Sequence, residues 1–276
     1  LPKFRDARIL GLMLIDFFHV DAFTSMLFGG NPAAVCILDD WPPEETLLRV
    51  AGEFFLPETA FCVREAGSWR IRWFTPDIEM DLCGHATLAA AFVVRNFVDT
   101  STESLVFLSR SGELPVSFRG ERIVMDFPSR PPRSCELPET IARAVNIQPR
   151  AVLKARDYIL VYPSEGDVRN ICFDRSILDE INLDPGGICV TARAEEGSPA
   201  DFVSRFFTPQ ASIFEDPVTG SAHSSLVPYW SGVLGKQSLI AFQLSRRGGE
   251  LFCRDRGGGV SIAGKAVLFC RGSIAI

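Results

Sequence analysis

The chain states one plan twice. "RWFTPDIEMDLCGHATLAAAF" at residues 72–92 is echoed by "RFFTPQASIFEDPVTGSAHSSLV" at residues 205–227. Both copies open Arg-aromatic-Phe-Thr-Pro and run through acidic residues to a Gly-polar-Ala turn. That turn is Gly84-His85-Ala86 in one copy and Gly220-Ser221-Ala222 in the other. Each then enters an apolar stretch rich in small residues, and the second copy is three residues longer between its Pro and its Gly. A repeat separated by about half the chain implies two similar domains, whereas a solenoid would show a short period.

Composition is consistent with two cores. The chain has 276 residues, 47% hydrophobic and 22% charged, which is enough apolar material for two domains. Most of its 22 phenylalanines are core by default, including Phe17, Phe18, Phe54 and Phe55. A net charge of −6 without a long basic run argues against a nucleic-acid surface, which needs clustered Lys and Arg. A small molecule is the expected partner.

The eight cysteines stand singly in apolar runs, with no CxxC and only three histidines in the chain. Neither a zinc site nor a disulfide framework is expected; buried free thiols in a reducing, cytoplasmic compartment are. Nothing approaches a membrane span, and Asp16 interrupts the N-terminal apolar run. A strand pattern begins near Met13, so residues 1–12 read as an extension. The glycine-rich "RDRGGG" lacks the lysine and following helix of a phosphate loop.

Val-, Ile- and Phe-rich runs broken by Gly, Asn and Pro predict strands over 14–23, 33–38, 59–64, 69–74, 104–109, 113–118 and 122–127, with helices over 44–54 and 86–96. The Pro-rich joint "FPSRPPRSCELPE" separates this half from a second. There, helices are expected near 139–145 and 176–181, and strands at 151–161, 187–192, 239–246, 249–254, 259–263 and 266–271. The class is mixed α/β (α+β), with domains at 13–127 and 138–276.

Two similar domains related by a pseudo-twofold would bring their equivalent turns face to face across a cleft. Two helix N-termini would converge there, each with unpaired N–H groups and a positive dipole end, a site for an anion. A carboxylate-bearing ligand between them would lie beside His85, Asp216 and Ser221. His223 also falls inside the motif, while His19 sits in a strand pattern and reads as structural. Glu58 in "FFLPETAFCV" lies between Pro57 and an apolar strand, where partial desolvation suits a carboxyl group to both accept and donate a proton.

Together "DAFTSMLFGGNPAAVCIL", "LPETAFCV", "RWFTPDIEMDLCGHATLAAA" and "EDPVTGSAH" resemble the PhzF-like (phenazine biosynthesis) family, from about Met13 to the C-terminus. The resemblance implies a diaminopimelate-epimerase-like fold: two pseudo-symmetric domains, each a curved mixed sheet around a central helix, with the last strand able to return to the N-terminal domain. It implies an isomerase acting on a dihydro-hydroxyanthranilate, with no metal or organic cofactor, as a homodimer. The glutamate of the family's acid/base motif is Glu58. His85, Asp216 and Ser221 match polar residues of its cleft, and Gly84 and Gly220 match its anion-binding turns. Asn31 of "GGNPAAV" belongs to a further motif and reads as structural or supporting, outside the catalytic set.

Cys83 precedes Gly84 where related racemases of this fold carry one of two thiols, but Thr219 holds the second place, and a hydroxyl is a far weaker base than a thiolate. A two-thiol racemase is therefore disfavoured, and Cys83 reads as a buried small residue. The alternatives are a cysteine-independent amino-acid epimerase and a metabolite-binding or protein-interaction module without turnover. The full set Glu58, His85, Asp216 and Ser221 favours an enzyme, because a binder needs the clamp but not the base.

Overall fold

The computed structural model describes residues 13–65, 67–183 and 186–276; the expected extension at 1–12 lies outside them. The first half reads β1 (Leu14–Ala22), β2 (Asn31–Leu38), α1 (Glu44–Phe54), β3 (Glu58–Glu65), β4 (Ser68–Phe74), β5 (Glu79–Met80), α2 (Gly84–Val93), β6 (Ser104–Ser109), β7 (Gly112–Arg119) and β8 (Arg122–Pro128). The second reads β9 (Arg133–Ser134), α3 (Glu139–Ala144), β10 (Ala151–Lys154), β11 (Tyr158–Val161), α4 (Glu165–Asn170), α5 (Arg175–Leu178), β12 (Ile188–Arg193), β13 (Phe202–Phe207), β14 (Glu215–Asp216), α6 (His223–Leu234), β15 (Ser238–Gln243), β16 (Gly249–Asp255), β17 (Gly259–Gly264) and β18 (Ala266–Ala275).

Strand pairing repeats with the sequence. β2 and β3 are parallel, β3 and β4 antiparallel, β4 and β6 parallel, and β6–β7–β8 form a meander. β11–β12, β12–β13, β13–β15 and β15–β16–β17 follow the same pattern. The two runs join where β8 pairs antiparallel with β17, Met125 opposite Ile262. The strand that follows each run crosses over: β9, after β8, pairs with β10 of the second run, and β18, after β17, returns to pair with β1 of the first.

One apolar cluster fills the concave side and contains both α2 and α6. Smaller clusters under α1 and under α3 to α5 cover the outer faces. α2 is buried almost all round, with Ala86, Ala89, Ala90 and Ala91 at its contacts; small residues let the curved sheet close on the helix backbone, and an all-round apolar helix belongs inside. The expected helix over 86–96 begins two residues earlier, at Gly84, and ends at Val93, followed by a π-helical turn, Val94–Val98. α6 contains Pro228, which leaves the Ser224 carbonyl without its helical donor. The linker supplies one: Arg130 N–H donates to Ser224 O at 2.9 Å.

Differences from the sequence expectations have local causes. α4 was not expected, although Ser164 and Asp167 form a capping box at its start. Glu215–Asp216, read as turn, pairs with Phe206–Phe207. Cys172 and Cys270 are exposed and Cys135 is half-buried, while the other cysteines are buried and all are unpaired; Cys270 lies on the exposed stretch of β18, where an apolar run fills no core. Among the described residues, no helix is long and apolar enough to cross a membrane.

Candidate active site

The two repeated turns touch. A Cβ built on Gly84 would lie 3.5 Å from Gly220 Cα, and one on Gly220 would lie 3.7 Å from Gly84 Cα, so the starts of α2 and α6 converge at the middle of the molecule. Both approaches are fixed the same way. Arg72 grips Glu79 through Nε and Nη2 at 2.7 and 2.6 Å, and Arg205 grips Glu215 through Nε and Nη2 at 2.7 and 3.1 Å. Such forked pairs fix geometry as well as adding energy. By strand register, Asp216 of the second copy stands where the first has Met80. The loops also meet, Ser212 Oγ donating to Asp77 Oδ1 at 2.9 Å.

Asn31 ties the halves together at the site. It opens β2 after Gly30, whose φ of +64° and whose missing Cβ, which would lie 2.1 Å from Ala22 O, both require glycine. Arg247 holds this loop by donating to Asp21 Oδ1 at 2.6 Å and to the carbonyls of Gly29 and Gly30 at 2.9 Å. From this seat Asn31 Nδ2 lies 2.7 Å from Asp216 Oδ1, 2.9 Å from Val218 O and 3.0 Å from His85 Nδ1. The carboxylate and the carbonyl accept only, so the amide NH2 must face them. In a neutral His85 ring this selects the tautomer with its proton on Nε2. That nitrogen is 3.0 Å from Glu58 Oε2, close but poorly aligned for a hydrogen bond, as catalytic pairs often are before ligand arrives.

Asp216 is held from its other side. Thr219 Oγ1 donates to Asp216 Oδ2 at 2.5 Å, and Gln243 accepts from Thr219 N–H at 2.8 Å while donating to the Asp216 carbonyl at 2.7 Å. The result is a line of groups, Glu58, His85, Asn31, Asp216 and Thr219, crossing from one half to the other. Glu58 starts β3 with its side chain 15% exposed, whereas His85 is buried. Glu58 and Asp216, which is also only partly buried, are thus the members of the line with surface open to a ligand.

Burial raises the Asp216 pKa, with Glu58 adding to the rise while His85, Thr219 and Asn31 oppose it. Burial disfavours a charged His85, but Cys83 and Glu58 outweigh it and hold that pKa well above the usual histidine value. Burial and Glu58 raise the Cys83 thiol. Among the described residues, Glu58, Cys83 and His85 present ligand atoms within 4.8 Å of one another, the one grouping that could hold a metal ion.

The expected residues Glu58, His85, Asp216, Gly84 and Gly220 therefore meet. Ser221 lies on the same turn, half-buried, but its hydroxyl has no hydrogen-bond partner among the described residues and stays outside the linked line. His223 is also outside: it is fully buried with Nδ1 2.9 Å from Thr219 O, as Thr87 Oγ1 bonds Cys83 O in the first copy. No backbone acceptor takes the N–H groups of Gly84, His85, Gly220 or Ser221 among the described residues, which leaves both turns free to bind an anion. Asn31 was placed outside the catalytic set, yet it contacts two of its members. Gln243 was missed altogether. Its signal was a polar residue at an inward position, in step with buried Leu239 and Ala241 on β15.

The model of the family described as "Phenazine biosynthesis-like protein" matches residues 20–272. An uncharacterized isomerase of Pseudomonas aeruginosa is 49% identical over 265 residues, covering 96% of this chain and all of the relative. The crystal structure of a PhzF-family phenazine biosynthesis protein from Enterococcus faecalis superposes with a TM-score of 0.89 at 42% identity, over 96% of this chain and 100% of that one. A hydroxyproline epimerase from Agrobacterium vitis shares the fold, with a TM-score of 0.60 at 11% identity over 95% of this chain and 93% of that one.

Proposed function

The chain belongs to the phenazine biosynthesis-like family, and from that premise we propose that it is an isomerase moving a proton within a small cyclic carboxylate, of the dihydro-hydroxyanthranilate kind, by general acid/base catalysis. The observation that carries this is Glu58, partly open and 3.0 Å from His85 Nε2, beside two touching glycine turns whose N–H groups are free. The ligand's carboxylate binds the N–H groups of Gly84-His85 and Gly220-Ser221. Glu58 takes a proton from an adjacent carbon, the C–H electron pair passes into the conjugated acid, and protonated Glu58 returns the proton to a second carbon. His85 Nε2–H faces the Glu58 carboxylate and steadies its charged form before the first transfer and after the second. The two helix starts stabilise the negative charge that develops on the ligand, where fixed dipoles act without reorganising.

Asp216 belongs to the machinery through Asn31, whose amide it holds and which in turn fixes the orientation of the His85 ring. Thr219, in place of a second thiol, supports a one-base reaction centred on Glu58. The test is a panel of small cyclic carboxylates incubated with the protein in D2O, with and without a metal chelator. Solvent deuterium should enter a ring carbon of at least one ligand at equal rates in both. Ligands that bind without exchange would favour the binding-module reading, and exchange abolished by the chelator would overturn the protein-only acid/base reading.

A further inference from the structure

Away from this site, a groove of about 410 Å3 opens on the second half, within the size range of small-molecule sites. Its floor is Tyr229, Trp230 and Val233 on α6, and Arg150 and Arg193 flank it from the strand side. It lies toward the C-terminal end of α6, where Tyr229 to Val233 stand 6 to 10 residues past the helix start at His223, so roughly 9 to 15 Å of helix separates it from the Gly220 turn.

The internal repeat shows what such a groove takes. Arg193 ends β12 opposite Phe202, and Arg64 occupies the same register on β3 opposite Trp69. In the first half, Arg64 Nη2 meets Asp99 Oδ2 at 3.5 Å. The space between β1 and the helix end is filled there by Phe97, whose ring packs on Phe18 at 5.1 Å under Arg271. The π-helical turn delivers both groups, since Phe97 lies within it and Asp99 follows it. In the second half, counted from Gly220 as the first is from Gly84, Val233 stands at the place of Phe97 and Gly235 at that of Asp99, and β9 has only two residues where β18 has ten. Neither ring nor carboxylate is supplied. Val233 stays 55% exposed, and among the described residues the Arg150 and Arg193 guanidiniums make no ion pair or hydrogen bond.

We propose that this groove is a second binding site, for a small aromatic carboxylate. Its ring takes the place that Phe97 fills in the first half, against Tyr229, Trp230 and Val233. Its carboxylate takes the part of Asp99, shared by Arg193 and Arg150; paired guanidinium–carboxylate contacts and rings stacked beside arginine are both favourable. The reading rests on the repeat and the unpaired charges and is independent of the reaction at Glu58.

The probe is benzoate, with uncharged benzamide as control, followed by 19F NMR of protein labelled with 5-fluorotryptophan. Of the four tryptophans, Trp230 is the one in the groove, and its signal is assigned with Trp230→Phe. Benzoate should shift that signal saturably. The midpoint should rise at least tenfold in Arg150→Ala/Arg193→Ala, in line with losing a charged hydrogen bond, and benzamide should bind correspondingly weakly. Both arginines are exposed, so the variants should keep the parent's urea midpoint; single Arg193→Ala serves if the double variant does not. A Trp230 signal that ignores benzoate, or a midpoint unchanged without the arginines, would overturn the proposal.

Discussion

Replacing Asn31 by leucine tests whether one amide organises the site. Leucine keeps the size but removes the donor that reaches Asp216 Oδ1 at 2.7 Å and Val218 O at 2.9 Å. A hydrogen bond to a charged group is worth about 1.5–3 kcal/mol, and a buried carbonyl left unpaired costs about 1–3 kcal/mol. Against this, leucine removes the Asn31 Oδ1, which is itself buried without a partner, and returns a cost of similar size to one of those terms. The net expectation is a loss of about 1.5–3 kcal/mol. It should depend on pH. Burial already raises Asp216, and Asn31 is one of the groups pulling it back. Without Asn31 its folded pKa rises further, and a raised carboxyl loses stability as pH climbs from its unfolded value, about 4, through its folded one. Urea unfolding at pH 5 and pH 8 should therefore show the larger deficit at pH 8. In a cycle with Asp216→Ala the two losses should add to less than their sum by at least about 1 kcal/mol. A loss below about 0.5 kcal/mol, equal at both pH values, would refute Asn31 as the organiser.

His223 should make the fold acid-sensitive. Burial lowers its pKa to about 4, so stability present above the unfolded value of about 6.5 is lost as pH falls toward 4, by about 3 kcal/mol; His223→Thr, which copies Thr87, should flatten that slope in unfolding titrations, and an unchanged slope would contradict it. Cys83→Ala should keep activity within about tenfold, because burial and Glu58 disfavour the thiolate; a drop of about a thousandfold, roughly 4 kcal/mol, would restore a thiol base. Crystals grown in sulfate should hold the anion between Gly84-His85 and Gly220-Ser221, and an anion found only elsewhere would argue against the clamp.

The repeat made the architecture legible because a duplicated sequence must fold into duplicated pairing. The matching register of β3–β4 and β12–β13 is what turned the echo of Gly84 and Gly220 into contact. What the repeat concealed is asymmetry. Register places Asp216 where the first copy has Met80 and leaves Ser221 in the place of His85 without its bonds, and neither substitution announces which copy supplies the chemistry. Asn31 was visible as a motif but not as a hub, since its partners lie 54, 185 and 187 residues away. Gln243 read as one polar residue in a strand. The π-helical turn after α2 left no mark, because Val94–Val98 continues an ordinary helical pattern.

The most direct test of a proton carried by Glu58 is Glu58→Gln, which keeps the shape and the hydrogen-bonding reach toward His85 but cannot shuttle a proton. Calorimetry and deuterium incorporation by NMR, run on the same ligand with parent and variant, separate holding from reacting. The expected result is binding within a few-fold of the parent and exchange slower by about a hundredfold or more, on the scale of a lost general acid/base. Exchange that proceeds undiminished in the variant would contradict Glu58 as the base.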